Sequence, residues 1–307
     1  MIRRLLTARR EGSVQDSSPL IIAHRGASGL APENTLAAFK LAIALGVDGV
    51  EMDVQLSADG EPVIMHDLRV NRTTDGAGPV HALRTEELRR LDAVSWFERR
   101  LVARPRLRAK VERAARDTGA QPSFPIEGPP LLAEALALLA PAALARIYVE
   151  LKGARTTRDP LLEATISVVR KGKMEGSVTL LSFDHNIVAA AKGLAPEIRT
   201  ALTFPIAGGR LAGARSMIKA AESAGADEVA LHFGLAARRV VESLHERNVS
   251  VSAWTANRPL VMRRLAASGV DSIMTNFPDR LRGILDTATV IRVKSRGRGV
   301  KGWRGTQ

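Results

Sequence analysis

LIIAHRGASGLAPENTLAAFKLAIALGVDGVEMDVQLSADGEPVIMHD, residues Leu20–Asp67, contains three short apolar runs that end in or enclose ionisable groups. His24 closes Leu20-Ile21-Ile22-Ala23, Glu51 and Asp53 sit within Val50-Glu51-Met52-Asp53-Val54, and His66 closes Pro62-Val63-Ile64-Met65. Burying such groups is costly unless they are paired or bound to metal, so the pattern points to chemistry. Glu51 and Asp53 are two residues apart in a strand-like run. Their side chains therefore share one face, and Val50, Met52 and Val54 share the other. Between the first two runs, Leu36–Leu45 reads as a helix that Asn34 or Thr35 can cap and that Gly46 ends.

Working outward, β-rich runs alternate with Ala/Leu-rich helical stretches along the whole chain, the pattern of a parallel sheet covered by helices. The strand-like runs are 20–24, 48–54, 62–66, 146–151, 177–183, 198–203, 227–232, 249–254 and 271–275, nine candidates for the eight places of a barrel. The runs ending at Val54 and starting at Pro62 leave room only for a turn, Ser57-Ala58-Asp59-Gly60, so irregularity is expected there. Leu131–Leu139 and Ala236–Arg247 read as further helices. Residues 84–124 lack a strand signal and are rich in arginine and glutamate, which predicts a mainly helical insertion over one end of the barrel.

Length and composition agree with this architecture. A chain of 307 residues with 45% hydrophobic content is usual for one α/β barrel. The absence of cysteine excludes disulfides, thiolate catalysis and Cys-ligated metal centres. No apolar run is long enough for a membrane span, and the basic start lacks a signal-peptide core, so a cytoplasmic location is expected. The net charge of +13 is concentrated in the tails, leaving about +5 for the long body. The expected organisation is a basic extension over 1–19, a barrel domain over 20–288 with the 84–124 insertion, and a basic tail over 289–307. The tail reads as a disordered solubilising extension; its alternative role is peripheral contact with an anionic membrane.

Glu150 and Lys152 in Ile147-Tyr148-Val149-Glu150-Leu151-Lys152 repeat the spacing of Glu51 and Asp53. They fit either an outward salt-bridged edge or a third carboxylate for Mg²⁺ or Ca²⁺, with a lysine to receive an anion. Arg25, beside the Gly26 turn, suits a bidentate phosphate contact. A lone His after an apolar run is usually a hydrogen-bonded core residue. Here the arrangement occurs twice, near a carboxylate pair, and that favours catalysis.

Ala23-His24-Arg25-Gly26-Ala27, Pro32-Glu33-Asn34-Thr35, Glu51-Met52-Asp53-Val54-Gln55-Leu56 and His66-Asp67 with Asn71-Arg72-Thr73-Thr74-Asp75-Gly76 resemble the glycerophosphodiester phosphodiesterase family, within the phospholipase-C-like phosphodiesterases. Val149-Glu150-Leu151-Lys152, Ser182-Phe183-Asp184, Ala253-Trp254-Thr255-Ala256-Asn257 and Thr275-Asn276-Phe277-Pro278-Asp279 continue the match in order, covering roughly Leu20 to Arg282. The resemblance implies a TIM (β/α)8 barrel, irregular between its second and third strands. It implies His24 and His66 as the acid/base pair, and Glu51, Asp53 and Glu150 as holders of one divalent cation, Mg²⁺ or Ca²⁺. Arg25 and Lys152 would lie near the phosphate, and Trp254 would line the pocket. His232 stands where the family often has a polar pocket residue. Glu33 and Asn34 belong to the motif, either at the start of the helix or in positioning the metal.

The implied activity is metal-dependent hydrolysis of glycerophosphodiesters, which are small molecules of lipid and glycerol metabolism, to sn-glycerol 3-phosphate and an alcohol. A variant is lysophospholipase D-type action on lysophospholipids at a membrane surface. A non-catalytic binder of anionic lipid or nucleic acid ranks below both, because such a binder has no use for the acid, base and metal candidates. Nucleic acid is not an expected partner: Trp303 is the sole aromatic residue of the basic tail. Gly208-Gly209 reads as a turn, and His81, His185 and His245 as loop or helix-surface residues.

Overall fold

A computed structural model describes residues 18–121, 123–153, 158–206 and 213–297, with backbone alone over 288–297. The N-terminal extension before residue 18, Gly208-Gly209 and the last ten residues of the basic tail lie outside the described residues. Among the described residues, nine strands form one sheet: β1 (Leu20–His24), β2 (Gly49–Leu56), β3 (Pro62–Ile64), β4 (Arg146–Leu151), β5 (Val178–Ser182), β6 (Arg199–Phe204), β7 (Glu228–His232), β8 (Ser250–Trp254) and β9 (Ser272–Thr275). Eight are parallel in the order β1-β9-β8-β7-β6-β5-β4-β2, and β1 pairs with β2 to close the barrel.

The ninth candidate is thereby resolved. β3 is antiparallel to β2, with Val54 opposite Ile64, and takes no place in the barrel. The turn around Gly60 (φ +85°) is too short for a crossover helix, so the chain can only fold back. β3 also ends at Ile64, before the end of the expected run, leaving His66 in the following loop.

Helices cover the outside: α1 (Leu36–Ala44), α2 (Thr85–Arg89), α3 (Ser95–Ala103), α4 (Pro105–Thr118), α5 (Leu132–Leu139), α6 (Arg158–Lys171), α7 (His185–Leu194), α8 (Ala214–Ala224), α9 (Arg238–His245), α10 (Pro259–Ser268) and α11 (Pro278–Gly297). Thr35, not Asn34, caps α1, its side chain accepting from the Ala38 N–H. The main core joins Val50, Met52 and Val54 of β2 to helical residues such as Phe39, Leu132, Leu136, Val241 and Leu265. The alternate residues of β2, Glu51 and Asp53, turn to the barrel interior, where Ile22, Tyr148 and Met274 form a separate apolar layer. Within this interior the Tyr148 hydroxyl donates to Glu228 at 2.9 Å.

α2, α3 and α4 make up most of 84–124. Phe97 and Val111 anchor them in the main core, and Phe97 packs edge-on against Trp96 and Phe124. Lys110 of α4 lies 5.7 Å from the centre of the Phe277 ring, just beyond β9, so the insertion reaches the C-terminal ends of the strands. The helical backbone of α11 continues to Gly297, past the boundary at 288 expected for the barrel domain. Among the described residues, no helix is long and apolar enough to cross a membrane.

Candidate active site

The strand register assembles the site. β1 and β2 pair His24 with Glu51, and β2 and β4 pair Asp53 with Glu150. Three carboxylates thus meet at the C-terminal ends of adjacent strands, the usual place for a site in this architecture. Their oxygens lie within 4.8 Å of one another, and all three residues are buried. Lys152, just past β4, sits 2.5 Å from Glu150 Oε1 and 3.3 Å from Asp53 Oδ1, so Glu150 and Lys152 face inward and do not form an outward edge.

The β1–α1 loop wraps the other side of this cluster. Gly26 has φ +74°, and a Cβ there would lie 2.7 Å from Ala38, which explains the glycine in the tight turn. Arg25 itself takes φ +56°, uncommon for a residue with a side chain. This geometry sends its backbone N–H to Glu51 Oε2 at 2.9 Å. Its guanidinium reaches Asp53 Oδ2 at 3.2 Å and Glu33 Oε1 at 2.8 Å. Asn34, also left-handed, donates from Nδ2 to Asp53 Oδ2 at 2.8 Å. Glu33 and Asn34 therefore hold the charged groups of the site, and Thr35 alone starts the helix.

Both histidines have one ring nitrogen occupied. His24 Nδ1 lies 2.8 Å from Asn276 Oδ1, which as an acceptor keeps the proton on Nδ1. His24 Nε2 then faces Glu51 Oε2 at 3.8 Å. His66 Nδ1 lies 2.6 Å from Asp67 Oδ1, leaving Nε2 as the exchangeable position. Asp67 in turn is gripped by Arg72, whose Nε donates at 2.6 Å.

The charges perturb one another strongly. Burial, and then the adjacent Arg25, push the His24 imidazole down to about 4. Burial, followed by the nearby Asp53 and Glu150, raises Glu51 well above the usual carboxylate range. Burial and Asp53 also push Glu150 up to about 7, against the pull of Lys152. Burial works to raise Asp53 too, but Arg25 and Lys152 outweigh it and hold its carboxyl well below the usual range. Two of the three carboxylates therefore tend to keep a proton, the signature of excess negative charge in a small volume. Among the described residues, Glu51 Oε1 has no hydrogen-bond partner although it is buried. An oxygen-only donor set with an orphaned buried oxygen fits a hard divalent cation.

Opposite the carboxylates stands an aromatic wall. Trp254 contacts Phe183 edge-on at 5.5 Å and His232 at 5.6 Å, and its indole N–H donates to Ala230 O. Lys152 Nζ is 5.3 Å from the Phe183 ring centre, so this wall faces the same charged centre. His232 ends β7 beside Trp254, with Nδ1 accepting from the Gly234 N–H at 3.1 Å. The other three histidines stay outside this assembly: His245 contacts Asp271, His185 contacts Ser223, and His81 lies in a 3-10 turn. Asn276, Asp67, Arg72 and Phe183 carried no role from sequence. They stand in the matching motifs, but a holder of another side chain has no signature of its own.

Comparison with known proteins identifies the family. Residues 24–280 match the glycerophosphoryl diester phosphodiesterase family. A glycerophosphodiester phosphodiesterase of Caldanaerobacter subterraneus is 31% identical over 265 residues, covering 85% of this chain and 96% of that protein. One from Bacillus altitudinis is 32% identical over 262 residues, covering 85% and 95%. The solved structure of an Oleispira antarctica phosphodiesterase in complex with the product sn-glycerol-3-phosphate superposes with a TM-score of 0.71 at 28% identity, covering 88% of this chain and 97% of that one. The chain is an enzyme of the glycerophosphoryl diester phosphodiesterase family.

Proposed function

We propose that this enzyme hydrolyses glycerophosphodiesters, the deacylated phospholipids, to sn-glycerol 3-phosphate and an alcohol in the cytoplasm. One Mg²⁺ or Ca²⁺ on Glu51, Asp53 and Glu150 supports the reaction. The observation that carries the reading is the meeting of two singly tethered histidines with a buried three-carboxylate cluster at one barrel end. Bound there, a divalent cation supplies positive charge and polarises a phosphoryl oxygen.

The residues do the rest. Arg25 and Lys152 set positive charge against the phosphodiester oxygens, where a fixed, water-poor arrangement counts most. With Nδ1 of each ring held, protons move at the Nε2 atoms of His24 and His66. One histidine accepts the proton of the attacking glycerol 2-hydroxyl, and the other donates to the leaving alkoxide. The cyclic phosphate so formed is then opened by water, with the two roles exchanged. Trp254 and His232 line the path of the departing alcohol. The test is turnover of glycerophosphocholine with EDTA and with Mg²⁺ or Ca²⁺ restored. Activity that survives complete metal removal would refute the metal assignment, and the absence of any turnover would refute the substrate class.

A second reading, action on lysophospholipids at an anionic membrane surface, is favoured by one feature. Phe183 and Ile206 are 43% and 42% exposed, and they form an apolar rim beside Trp254 and His232 that would suit an acyl chain. Comparing lysophosphatidylcholine with glycerophosphocholine in the same assay separates the two readings.

A further inference from the structure

Arg72 is a motif residue that takes no part in the proposed chemical steps. It closes the 3-10 turn Val70–Arg72, which Val70 fixes by burial in a small apolar cluster with Val63, Met65, Val80 and Leu88. From this anchored turn one guanidinium grips two carboxylates. Nε and Nη2 donate to Asp67 Oδ2 and Oδ1 at 2.6 and 3.2 Å. Nη1 and Nη2 donate to Glu33 Oε2 and Oε1 at 3.0 and 2.7 Å. Four of its five N–H donors are thus directed at carboxylates, so despite 44% side-chain exposure the fork is not free to grip a phosphate.

Each carboxylate it grips holds a different working group. Asp67 Oδ1 is the 2.6 Å partner of His66 Nδ1. Glu33 Oε1 is shared with Arg25 Nη1 at 2.8 Å, and Arg25 leads on to Asp53 and Glu51. An unbroken chain therefore runs His66–Asp67–Arg72–Glu33–Arg25, from the loop after β3 to the loop after β1. Only a planar guanidinium can bind two carboxylates along two edges at once; an ammonium is a point charge with no such geometry.

We propose that Arg72 is a positioning residue that sets the His66 ring and the Arg25 guanidinium in one register, acting through Asp67 and Glu33. The inference rests on the phosphodiesterase reading for its kinetic readout. A misplacement of about 1 Å in such an assembly can cost on the order of 10²-fold in rate. R72K and R72A should therefore each lower kcat on glycerophosphocholine by roughly 10- to 100-fold with KM little changed. Methylguanidinium should restore part of the R72A rate, whereas methylammonium at the same concentration should not. Independently of turnover, ¹⁵N NMR of the His66 ring should show the Nδ1–H form in the wild type and a mixture of tautomers in R72A.

Near-wild-type kcat in R72K, equal rescue by both cations, a loss confined to KM, or an unchanged His66 tautomer would each overturn the proposal. R72K carries the test if R72A does not fold. If the wild type itself fails to turn over, the substrate reading falls, and the NMR result still decides for or against Arg72.

Discussion

Replacing Glu150 with glutamine in the metal-free enzyme should stabilise it at pH 8 and do little at pH 5. Burial and Asp53 lift Glu150 from 4.5 to about 7. A raised carboxyl binds its proton more tightly in the folded than in the unfolded chain. Its contribution is fully present below about 4.5 and is lost as pH rises through about 7. At about 1.4 kcal/mol for each pH unit across that window, the folded state loses up to about 3 kcal/mol by pH 8. Glutamine keeps the shape without the charge and removes that loss, while Asp53 still pairs with Lys152 at 3.3 Å. Urea unfolding of EDTA-treated wild type and Glu150→Gln, followed by circular dichroism from pH 5 to 8, measures the gap directly. The difference should open steadily with pH and reach an order of 2–3 kcal/mol. In the wild type, added divalent cation should close the gap, because it offsets the charge that the lost proton leaves on Glu150; the variant should lose most of that response. A gap that is absent at pH 8, or that does not grow with pH, would refute the picture of three carboxylates crowded by their own charge.

Other perturbations test other links. His24→Ala and His66→Ala should each cost at least about 10²-fold in turnover while leaving the unfolding midpoint nearly unchanged; steady-state kinetics and a thermal melt measure both. Gly26→Ala, at φ +74° and 2.7 Å from Ala38, should destabilise by about 2–4 kcal/mol, read from denaturant midpoints. Acidification should destabilise through His24, whose pKa lies near 4 instead of 6.5: its neutral form stabilises the fold above about 6.5, and that benefit is lost towards about 4. Comparing His24→Asn with the wild type over this range isolates the effect, since the variant should lose less stability on acidification.

The barrel was legible because period-2 patterning and burial act together. Residues such as Val50, Met52 and Val54 must face the helices, and that requirement alone turned Glu51 and Asp53 inward. The same logic left Glu150 and Lys152 undecided, because an edge strand has the same spacing as a barrel strand. Only the pairing of β4 with both β2 and β5 removes the edge. The antiparallel run of β3 was foreshadowed by the turn at Ser57-Ala58-Asp59-Gly60 but not its exclusion from the barrel, because strand count does not reveal closure. Asn276 lies 252 residues from His24, and no local pattern marks a partner at that separation.

The register explains why the charges sit where they do. Setting His24 opposite Glu51, and Asp53 opposite Glu150, places four ionisable groups in neighbouring positions on three adjacent strands. A barrel built only for stability would fill these positions with branched apolar side chains. Here the cluster is offset by cations drawn from separate loops: Arg25 from the first crossover and Lys152 from just beyond β4. Neither cation cancels all three carboxylates, as the raised positions of Glu51 and Glu150 show. The remaining negative charge favours protons at low pH and, under the function proposed above, would be offset by a divalent ion near neutrality. Removing one carboxylate should therefore make the empty fold more stable and the metal-loaded fold less so. A substitution that acted through packing alone would shift both states in the same direction.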